Sequence, residues 1–341
     1  MSLLHCVTSV SIARRLAPII LVVLGACSAA PPLPEGAKSD ELKPTPVSDN
    51  PKVLHGEANF RAADGLRLFR QVWRPVAKPK GVLVLVHGLK DHGARYASLA
   101  EMLALQGFIV HAADLRGHGR SGGERVRIDV FDEYLTDLGT LFRLVRAEDP
   151  GLPVFLMGHS MGGAIATLYS LDNQTQLQGL VLSAPALKIT DDVSGFLIGV
   201  TKFMSALFPG AAVFGLDEEK FSRDPKVIAD MRADPLVYQP KGAARTAAEL
   251  LKALASIQER QGEMALPLLV MHGDKDEITN PDGSKGLIAK AKSKDKTLKI
   301  YGGMFHDLLH EPEKAEVKAD IALWLDAHAN GLPQAATPTG K

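Results

Sequence analysis

Cysteine is scarce in this chain of 341 residues, which contains only Cys6 and Cys27. Both precede the region whose apolar patterning predicts a fold, so that region has no disulfide, no cysteine nucleophile and no cysteine metal site. An excess of charge of one sign is also lacking, because 39 Lys and Arg balance 39 Asp and Glu. Without an excess of basic residues, the sequence gives no indication of a nucleic-acid partner.

Two further patterns are missing. None of the 11 histidines forms the His-Glu-x-x-His spacing of a zinc site, and we predict neither a metal nor a cofactor. The apolar residues 16–24 are too few to cross a bilayer, since a spanning helix needs about 20 residues. They follow Arg14 and Arg15 and precede small residues, which is the order of an export signal.

The small residues 24–27 read Leu-Gly-Ala-Cys and resemble a bacterial lipobox. The resemblance implies that Cys27 becomes the lipidated first residue of an exported lipoprotein, held at a membrane surface of the cell envelope. Ser28, directly after this cysteine, does not resemble an inner-membrane retention signal. The outer membrane is therefore a possible location. Plain cleavage near Ala29 and Ala30 is the alternative.

Continuous apolar runs of the kind buried in a parallel sheet alternate with helical patterns. The runs are residues 82–87, 108–113, 154–157, 180–183, 268–272 and 298–301. The helical patterns are residues 95–106, 131–146, 161–171, 283–292 and 312–329. An opening hairpin is predicted from residues 57–61 and 66–74, which flank Ala-Asp-Gly. This alternation predicts an α/β fold, with a mostly parallel sheet flanked by helices.

Residues 186–264 interrupt the alternation, with helical texture and no convincing strand, and we predict a helical lid there. Within it, apolar residues recur near helical spacing and form one face, namely Phe196, Val200, Phe203 and Leu207. Lys202 lies on another face. This apolar face either packs onto the body or lines an acyl tunnel and meets a bilayer. The predicted segments are a signal peptide at 1–26, a disordered tether at 27–52, the α/β core at 53–185 and 265–330, the lid at 186–264, and a disordered tail at 331–341.

A candidate nucleophile lies where the run 154–157 meets the pattern Gly-x-Ser-x-Gly at residues 158–162. A serine at a sharp strand-to-helix turn has strained backbone angles, and Gly158 and Gly162 leave room for the two segments to approach. The turn exposes the Ser160 hydroxyl, and the Met161 N–H at the start of the helix faces the place of an acyl oxyanion. The pattern also arises by chance, but its flanking strand and helix favour a nucleophile.

A serine nucleophile needs a histidine base, which in turn needs a carboxylate. The loops after the last two predicted strands offer Asp274 or Asp276, and then His306. We favour Asp276 because it lies further along its turn, whereas Asp274 can cap the turn. His310 is expected in the following helix entry, and the side chain of His159 in the scaffold. The strand-end histidines are expected to have structural hydrogen bonds; these are His87, His111 and His272.

The second oxyanion donor is expected in the loop after the run 82–87. Gly88 lets the backbone turn inward, which leaves the Leu89 N–H free to point at the site. A simple strand-ending turn would give the same short sequence.

Together these motifs resemble the monoacylglycerol lipase and lysophospholipase family of α/β-hydrolases. The matching segments are Gly-His-Ser-Met-Gly-Gly-Ala-Ile at 158–165, the loop 116–125, Asp-Pro-Leu at 234–236 and the strand 295–301 followed by His306. The resemblance implies an α/β-hydrolase fold, with Ser160 as nucleophile, Asp276 as acid, His306 as base, and Leu89 and Met161 as oxyanion donors. Lys90 departs from the family, which has a second glycine there, and this puts the loop's shape in question.

We therefore expect a serine hydrolase that cleaves carboxylic esters of single-chain lipids, either monoacylglycerols or lysophospholipids. One alternative is a carboxylesterase for short or varied esters, which would need a narrower pocket. Another is a non-catalytic binding protein on the same scaffold, which filled triad positions disfavour. An epoxide or haloalkane hydrolase would need an aspartate at position 160. The sequence does not indicate the oligomeric state.

Overall fold

The computed structural model describes residues 39–189 and 195–329, without the side chains of residues 195–198, 202 and 214. The predicted signal peptide, its Cys27 and the predicted tail lie outside the described residues. So do the side chains of Phe196 and Lys202 in the predicted lid.

The apolar runs of the sequence form the strands of a nine-stranded sheet. Its strands are β1 (Thr45–Val47), β2 (Asn50–Arg61), β3 (Arg67–Pro75), β4 (Gly81–Val86), β5 (Phe108–Ala113), β6 (Val154–His159), β7 (Gly179–Ser183), β10 (Leu268–Gly273) and β11 (Lys296–Tyr301). Two short strands of the lid pair separately, β8 (Ala212–Phe214) and β9 (Gly242–Ala243). The sheet order is β1-β2-β3-β5-β4-β6-β7-β10-β11. The first three strands pair antiparallel and the last six parallel.

Helices cover both faces of this sheet, namely α1 (Ala97–Leu105), α2 (Asp132–Glu148), α3 (Met161–Asn173), α6 (Ala244–Arg260), α7 (Pro281–Lys290) and α8 (Lys314–Ala329). The lid also contains α4 (Gly195–Leu207) and α5 (Pro225–Ala233). Alternate side chains of β4 divide between two cores: Val84 joins the core under α2, α3, α6 and α7, and Leu85 the core under α1 and α8. The predicted fold class is confirmed. Among the described residues no helix is both long and apolar enough to span a membrane.

Two predictions were wrong, one about the extent of the disordered tether and one about strands in the lid. The predicted tether at 27–52 includes β1 and the start of β2, which pair with each other, and Ser39 bridges to Phe60. The apolar side chain of Leu42 packs beside Gly56 and against the core, so this segment closes the edge of the sheet. The lid was predicted to lack strands, yet it contains β8 and β9. These are three and two residues long, too short for a hydrophobic pattern to indicate.

Candidate active site

Ser160 occupies the turn between β6 and α3 with φ 54° and ψ −123°. These angles are uncommon for a residue with a side chain and cost about 1–3 kcal/mol. Two backbone hydrogen bonds hold the residue there, from its N–H to Ser183 O at 3.1 Å and from Ala186 N to its carbonyl at 2.9 Å. Its hydroxyl borders an open cleft. The structure thus places Ser160 as the sequence predicted.

The helix after this turn lies against β4 and β6 more closely than any side chain would permit. A Cβ atom on Gly162 would lie 2.3 Å from Val86 O, and one on Gly158 would lie 2.3 Å from Gly162 O. Real Cβ atoms do not approach backbone oxygens so closely. Both glycines are therefore required for the strand-to-helix turn, as the sequence predicted.

Asp276 and His306 come together from the loops that follow β10 and β11. The distance between His306 Nδ1 and Asp276 Oδ2 is 2.8 Å, and both side chains are fully buried. A carboxylate can only accept here, so Nδ1 carries the hydrogen and Nε2 is the free base. Nε2 is buried and has no hydrogen-bond partner among the described residues. This is the tautomer that a serine-activating histidine needs.

The carboxylate of Asp276 has further donors besides His306. Oδ1 accepts the backbone N–H groups of Ile278 at 2.8 Å and Thr279 at 2.9 Å. Oδ2 accepts the Thr279 hydroxyl at 2.8 Å and lies 3.0 Å from His272 Nε2. Burial acts to raise the pKa of Asp276, but the charge of His306 and the hydrogen bonds from the two histidines hold it well below its usual range. Asp276 thus remains ionised at any pH suitable for an assay.

The rival residues have other partners. Asp274 accepts the Gly303 N–H at 2.6 Å and is exposed, so it ties together the loops after β10 and β11. His310 bonds to Asp307 at 2.8 Å and to Arg95 O at 3.0 Å. The ring of His159 lies 4.8 Å from that of His306. Burial lowers the pKa of His159 to about 4, with the charge of His306 adding to the effect, so His159 is neutral at pH 7.

Two residues that line the cleft beside Ser160 have backbone N–H groups without an acceptor among the described residues. Leu89 N donates to no atom of the described residues, and Met161 N, in the first turn of α3, has no acceptor within its helix. Both residues border the cleft together with Ser160. The pair forms a candidate oxyanion hole.

Lys90 has the left-handed backbone conformation that a glycine would favour, with φ 67°. The loop therefore keeps a glycine-like shape despite the side chain, which answers the question that the sequence raised. Its carbonyl accepts the Tyr238 N–H of the lid at 3.0 Å, and Nζ lies 3.4 Å from Gln239 O. Burial lowers the pKa of Lys90. Lys90 thus connects the candidate oxyanion loop with the lid.

The cleft in front of Ser160 has a volume of about 180 Å³ and a mainly apolar lining. Helix α6 supplies Leu250, Leu251 and Leu254, and Leu216 comes from the preceding part of the lid. None of the α4 side chains that the structure describes borders it. The described part of α4 thus does not line an acyl tunnel, which the sequence had left open.

The lid also covers the catalytic candidates directly. The Phe221 ring meets the His306 ring edge-on at 5.4 Å, and Phe221 O accepts the Asp307 N–H at 2.7 Å. Asp234, from the lid segment that resembles the family, lies 2.9 Å from Nε2 of His92, just after the oxyanion loop. These contacts cover one side of the His306 ring and join the lid to the loops that follow β4 and β11.

One grouping of described residues has metal-like spacing, His111 with Glu148 and Asp149. Arg70 binds Glu148, with Arg70 Nη1 2.9 Å from Oε2, and Arg74 binds Asp149 at 2.7 Å. Both carboxylates are thus already neutralised by arginine, and the grouping does not border the cleft of Ser160. We assign no metal to it.

Residues 77–313 match the protein family described as serine aminopeptidase, S33. The chain belongs to this family. It is 39% identical over 272 residues to the monoacylglycerol lipase of Mycolicibacterium smegmatis, covering 80% of this chain and 97% of that protein. It is 33% identical over 296 residues to the monoglyceride lipase of Homo sapiens, covering 86% and 95%. The crystal structure of Paleococcus ferrophilus monoacylglycerol lipase superposes with a TM-score of 0.70 at 31% identity, covering 76% of this chain and 99% of that one.

These relatives place the chain among α/β-hydrolases of the S33 family, and its site contains two groups that sequence reasoning missed. His272 was assigned a structural role, yet it contacts the candidate acid, and Thr279 was not considered at all. The i, i+4 spacing of His272 and Asp276 across the end of a strand was the available signal. It has little weight alone, because a loop can turn either side chain away.

The arrangement predicts the effect of four substitutions on ester hydrolysis. Ser160→Ala and His306→Ala should each lower kcat by several orders of magnitude, because only binding and the oxyanion donors then remain. Asp276→Asn should cause a comparable or somewhat smaller loss. Asp274→Asn is the control and should change kcat little, since Asp274 only bonds Gly303. A larger loss for Asp274→Asn than for Asp276→Asn, in steady-state kinetics, would contradict the assignment of the acid.

Proposed function

We propose that this protein is a serine hydrolase that cleaves monoacylglycerols, esters with a single acyl chain, through an acyl-enzyme on Ser160. The observation that carries the proposal is a nucleophile-like serine that lines an apolar cleft together with Thr279, whose hydroxyl contacts both members of the buried His306–Asp276 pair. The two relatives described above, named monoacylglycerol and monoglyceride lipases, support this substrate class. Lysophospholipids share the single chain and are the next substrates to assay.

The proposed reaction uses each group in turn. Ser160 Oγ attacks the ester carbonyl while His306 Nε2 takes its proton, and Asp276 stabilises the resulting imidazolium. The N–H groups of Leu89 and Met161 bind the oxyanion. His306 then returns the proton to the departing glycerol oxygen. A water molecule, activated by the same histidine, hydrolyses the acyl-enzyme and releases the fatty acid.

The lining of the cleft favours a lipid ester over a peptide. An aminopeptidase must bind the charged amino terminus of its substrate, which calls for a carboxylate in the site. The described residues that line the cleft include no Asp or Glu. Their leucines instead suit an alkyl chain, and each buried methylene contributes about 0.8 kcal/mol. A chain of many methylenes therefore gives a strong preference over a short ester.

The cleft leucines should set the preference for chain length. Leu250→Asn and Leu251→Asn each remove about 1.5–3 kcal/mol of apolar contact, so kcat/KM for a long-chain monoacylglycerol should fall about tenfold or more. Hydrolysis of a four-carbon p-nitrophenyl ester, which buries far fewer methylenes in the cleft, should fall much less. The measurement is kcat/KM over a series of chain lengths.

Ile257→Ala is the matched control, because Ile257 lies on the same helix but is buried in the core. It should lower the melting temperature while affecting short and long esters alike. If the two leucine variants also reduce hydrolysis of all chain lengths equally, the protein is a general carboxylesterase rather than a monoacylglycerol lipase.

Helix α4 presents an apolar surface to solvent. Phe203 is 61% and Leu207 57% exposed, and Val200 and the following Phe208 are also exposed. The interpretation that this face simply packs onto the body was therefore wrong for these side chains. A lipid surface is the occupant that fits the proposed substrate, because an enzyme for single-chain lipids must take them from membranes or micelles.

The surface of α4 should thus govern access to aggregated substrate. Phe203→Gln with Leu207→Gln should weaken binding to phosphatidylglycerol–phosphatidylethanolamine vesicles in flotation assays and slow hydrolysis of vesicle-borne monoacylglycerol. Leu323→Gln is the control, since Leu323 is 70% exposed but lies on α8. Equal vesicle binding by the double variant and the control would rule out this role of α4.

We further propose that the protein is exported and anchored through Cys27. The support is the sequence alone, namely the arginines, apolar run and Leu-Gly-Ala-Cys that precede the fold. A lipoprotein anchor carries more than one acyl chain, and two chains bind a bilayer durably where one is marginal.

Cys27→Ser should release the protein from the membrane fraction of producing bacteria while its activity in extracts persists, because Cys27 is distant in sequence from every catalytic candidate. Intact mass and amino-terminal peptides of the wild-type protein should show a lipidated Cys27. A mature terminus at any other residue would refute the anchor.

A further inference from the structure

The candidate acid lies between two buried imidazoles, of which the triad uses only one. Asp276 Oδ2 is 2.8 Å from His306 Nδ1 and 3.0 Å from His272 Nε2. His272 is the penultimate residue of β10 and is completely buried. Its other ring nitrogen, Nδ1, lies 2.7 Å from the hydroxyl of Ser284 on α7, which is also completely buried. A chain of contacts thus runs from α7 through His272 to Asp276.

The partners fix which nitrogen of His272 carries the hydrogen. The Asp276 carboxylate, 3.0 Å from Nε2, and the Thr279 carbonyl, 3.4 Å from it, can only accept, so Nε2 carries the hydrogen. Nδ1 then accepts from Ser284, whose hydroxyl can rotate to donate. Nε2 also lies 3.2 Å from the Thr279 hydroxyl, whose single proton has Asp276 Oδ2 at 2.8 Å and Ala184 O at 3.0 Å as acceptors. Both ring nitrogens are thereby satisfied, and the position of the ring is set by two different elements.

We propose that His272 is a positioning residue for catalysis, one that holds the Asp276 carboxylate and shares its negative charge with His306. This role rests on the proposed triad. The backbone N–H groups fix only Oδ1, so the orientation of Oδ2 toward His306 depends on His272 and Thr279. By donating to Oδ2, His272 also withdraws charge that would otherwise hold the proton on His306. His306 can then give its proton to the leaving group more readily.

Other charged groups near His306 do not perform this task. Asp307 follows it in the chain, but its carboxylate is paired with Arg95 at 2.8 Å and with His310 at 2.8 Å. His159 is neutral at pH 7 because burial lowers its pKa, and Phe221 covers the lid side of His306 with an apolar ring. Besides His306, His272 is therefore the described titratable side chain that contacts the acid of this pair, where the uncharged Thr279 hydroxyl also lies.

Two substitutions of His272 test the proposal, because Asn and Gln both introduce a side-chain amide but differ in length. The amide nitrogen of Gln can occupy the place of Nε2 and donate to Asp276, whereas that of Asn reaches only the place of Nδ1 and Ser284. We expect His272→Asn to lower kcat for p-nitrophenyl butyrate about tenfold with KM within about twofold, as loss of a supporting hydrogen bond does. The acid limb of the kcat/KM profile should move to higher pH, because Asp276 then holds the proton on His306 more strongly. His272→Gln should restore most of kcat and the original limb.

His111→Asn is the matched control, since His111 is a completely buried histidine of β5 that does not contact the triad. It should lower the melting temperature without moving the acid limb. The rate of Ser160 labelling by a fluorophosphonate gives a second readout, which needs no ester turnover and so separates this proposal from the choice of substrate. If His272→Asn fails to fold, Ser284→Ala tests the same contact and should give a smaller shift in the same direction.

Identical kinetics and pH profiles for the Asn and Gln variants would overturn the proposal. So would an Asn variant with wild-type kcat and acid limb, because His272 would then only fill space. If His272→Asn does not fold, a Ser284→Ala variant whose acid limb is unchanged would also overturn the proposal.

Discussion

The strained turn at Ser160 is the constraint on which the rest of the site depends. Its backbone conformation costs about 1–3 kcal/mol, and it persists because β6 and α3 are held on a sheet buried on both faces. The close approach of Gly162 to Val86 O leaves no room for relaxation. The same turn begins α3, so the N–H of Met161, the candidate oxyanion donor, is fixed by the same geometry. Strain, nucleophile and anion site thus arise from one local structure.

The partners of Ser160 come from distant parts of the chain but from one edge of the sheet. Asp276 and His306 follow parallel strands, and the carboxyl ends of such strands meet at the same edge. Burial makes their interaction strong, and it also makes the ionised carboxylate costly unless donors surround it. The lid completes this arrangement by placing Phe221 over His306 and leucines of α6 along the cleft. Catalytic groups and acyl site are thereby combined in a desolvated space.

The central sheet and the site geometry followed from the sequence where the signal was local and strong. Long apolar runs predicted the parallel strands, and motif order predicted the pairing of Asp276 with His306. The positions of Asp274 and Asp276 within one turn distinguished their roles. In the structure Asp274 caps a turn through Gly303 N–H, and Asp276 contacts His306. Prediction failed where the cause was tertiary. Strand β1 forms because an edge needs covering, and His272 contacts Asp276 through the path of a loop. Neither is specified by a local pattern strong enough to predict it.

The most direct test of the central claim is a crystal structure of the protein after reaction with a long-chain alkyl fluorophosphonate. The account predicts a phosphorus adduct on Ser160, with its oxygen about 2.7–3.1 Å from the N atoms of Leu89 and Met161 and its alkyl chain along the α6 leucines. His306 Nε2 should lie within hydrogen-bond distance of the adduct. An adduct on another residue, or an oxygen turned away from both N–H groups, would contradict the account.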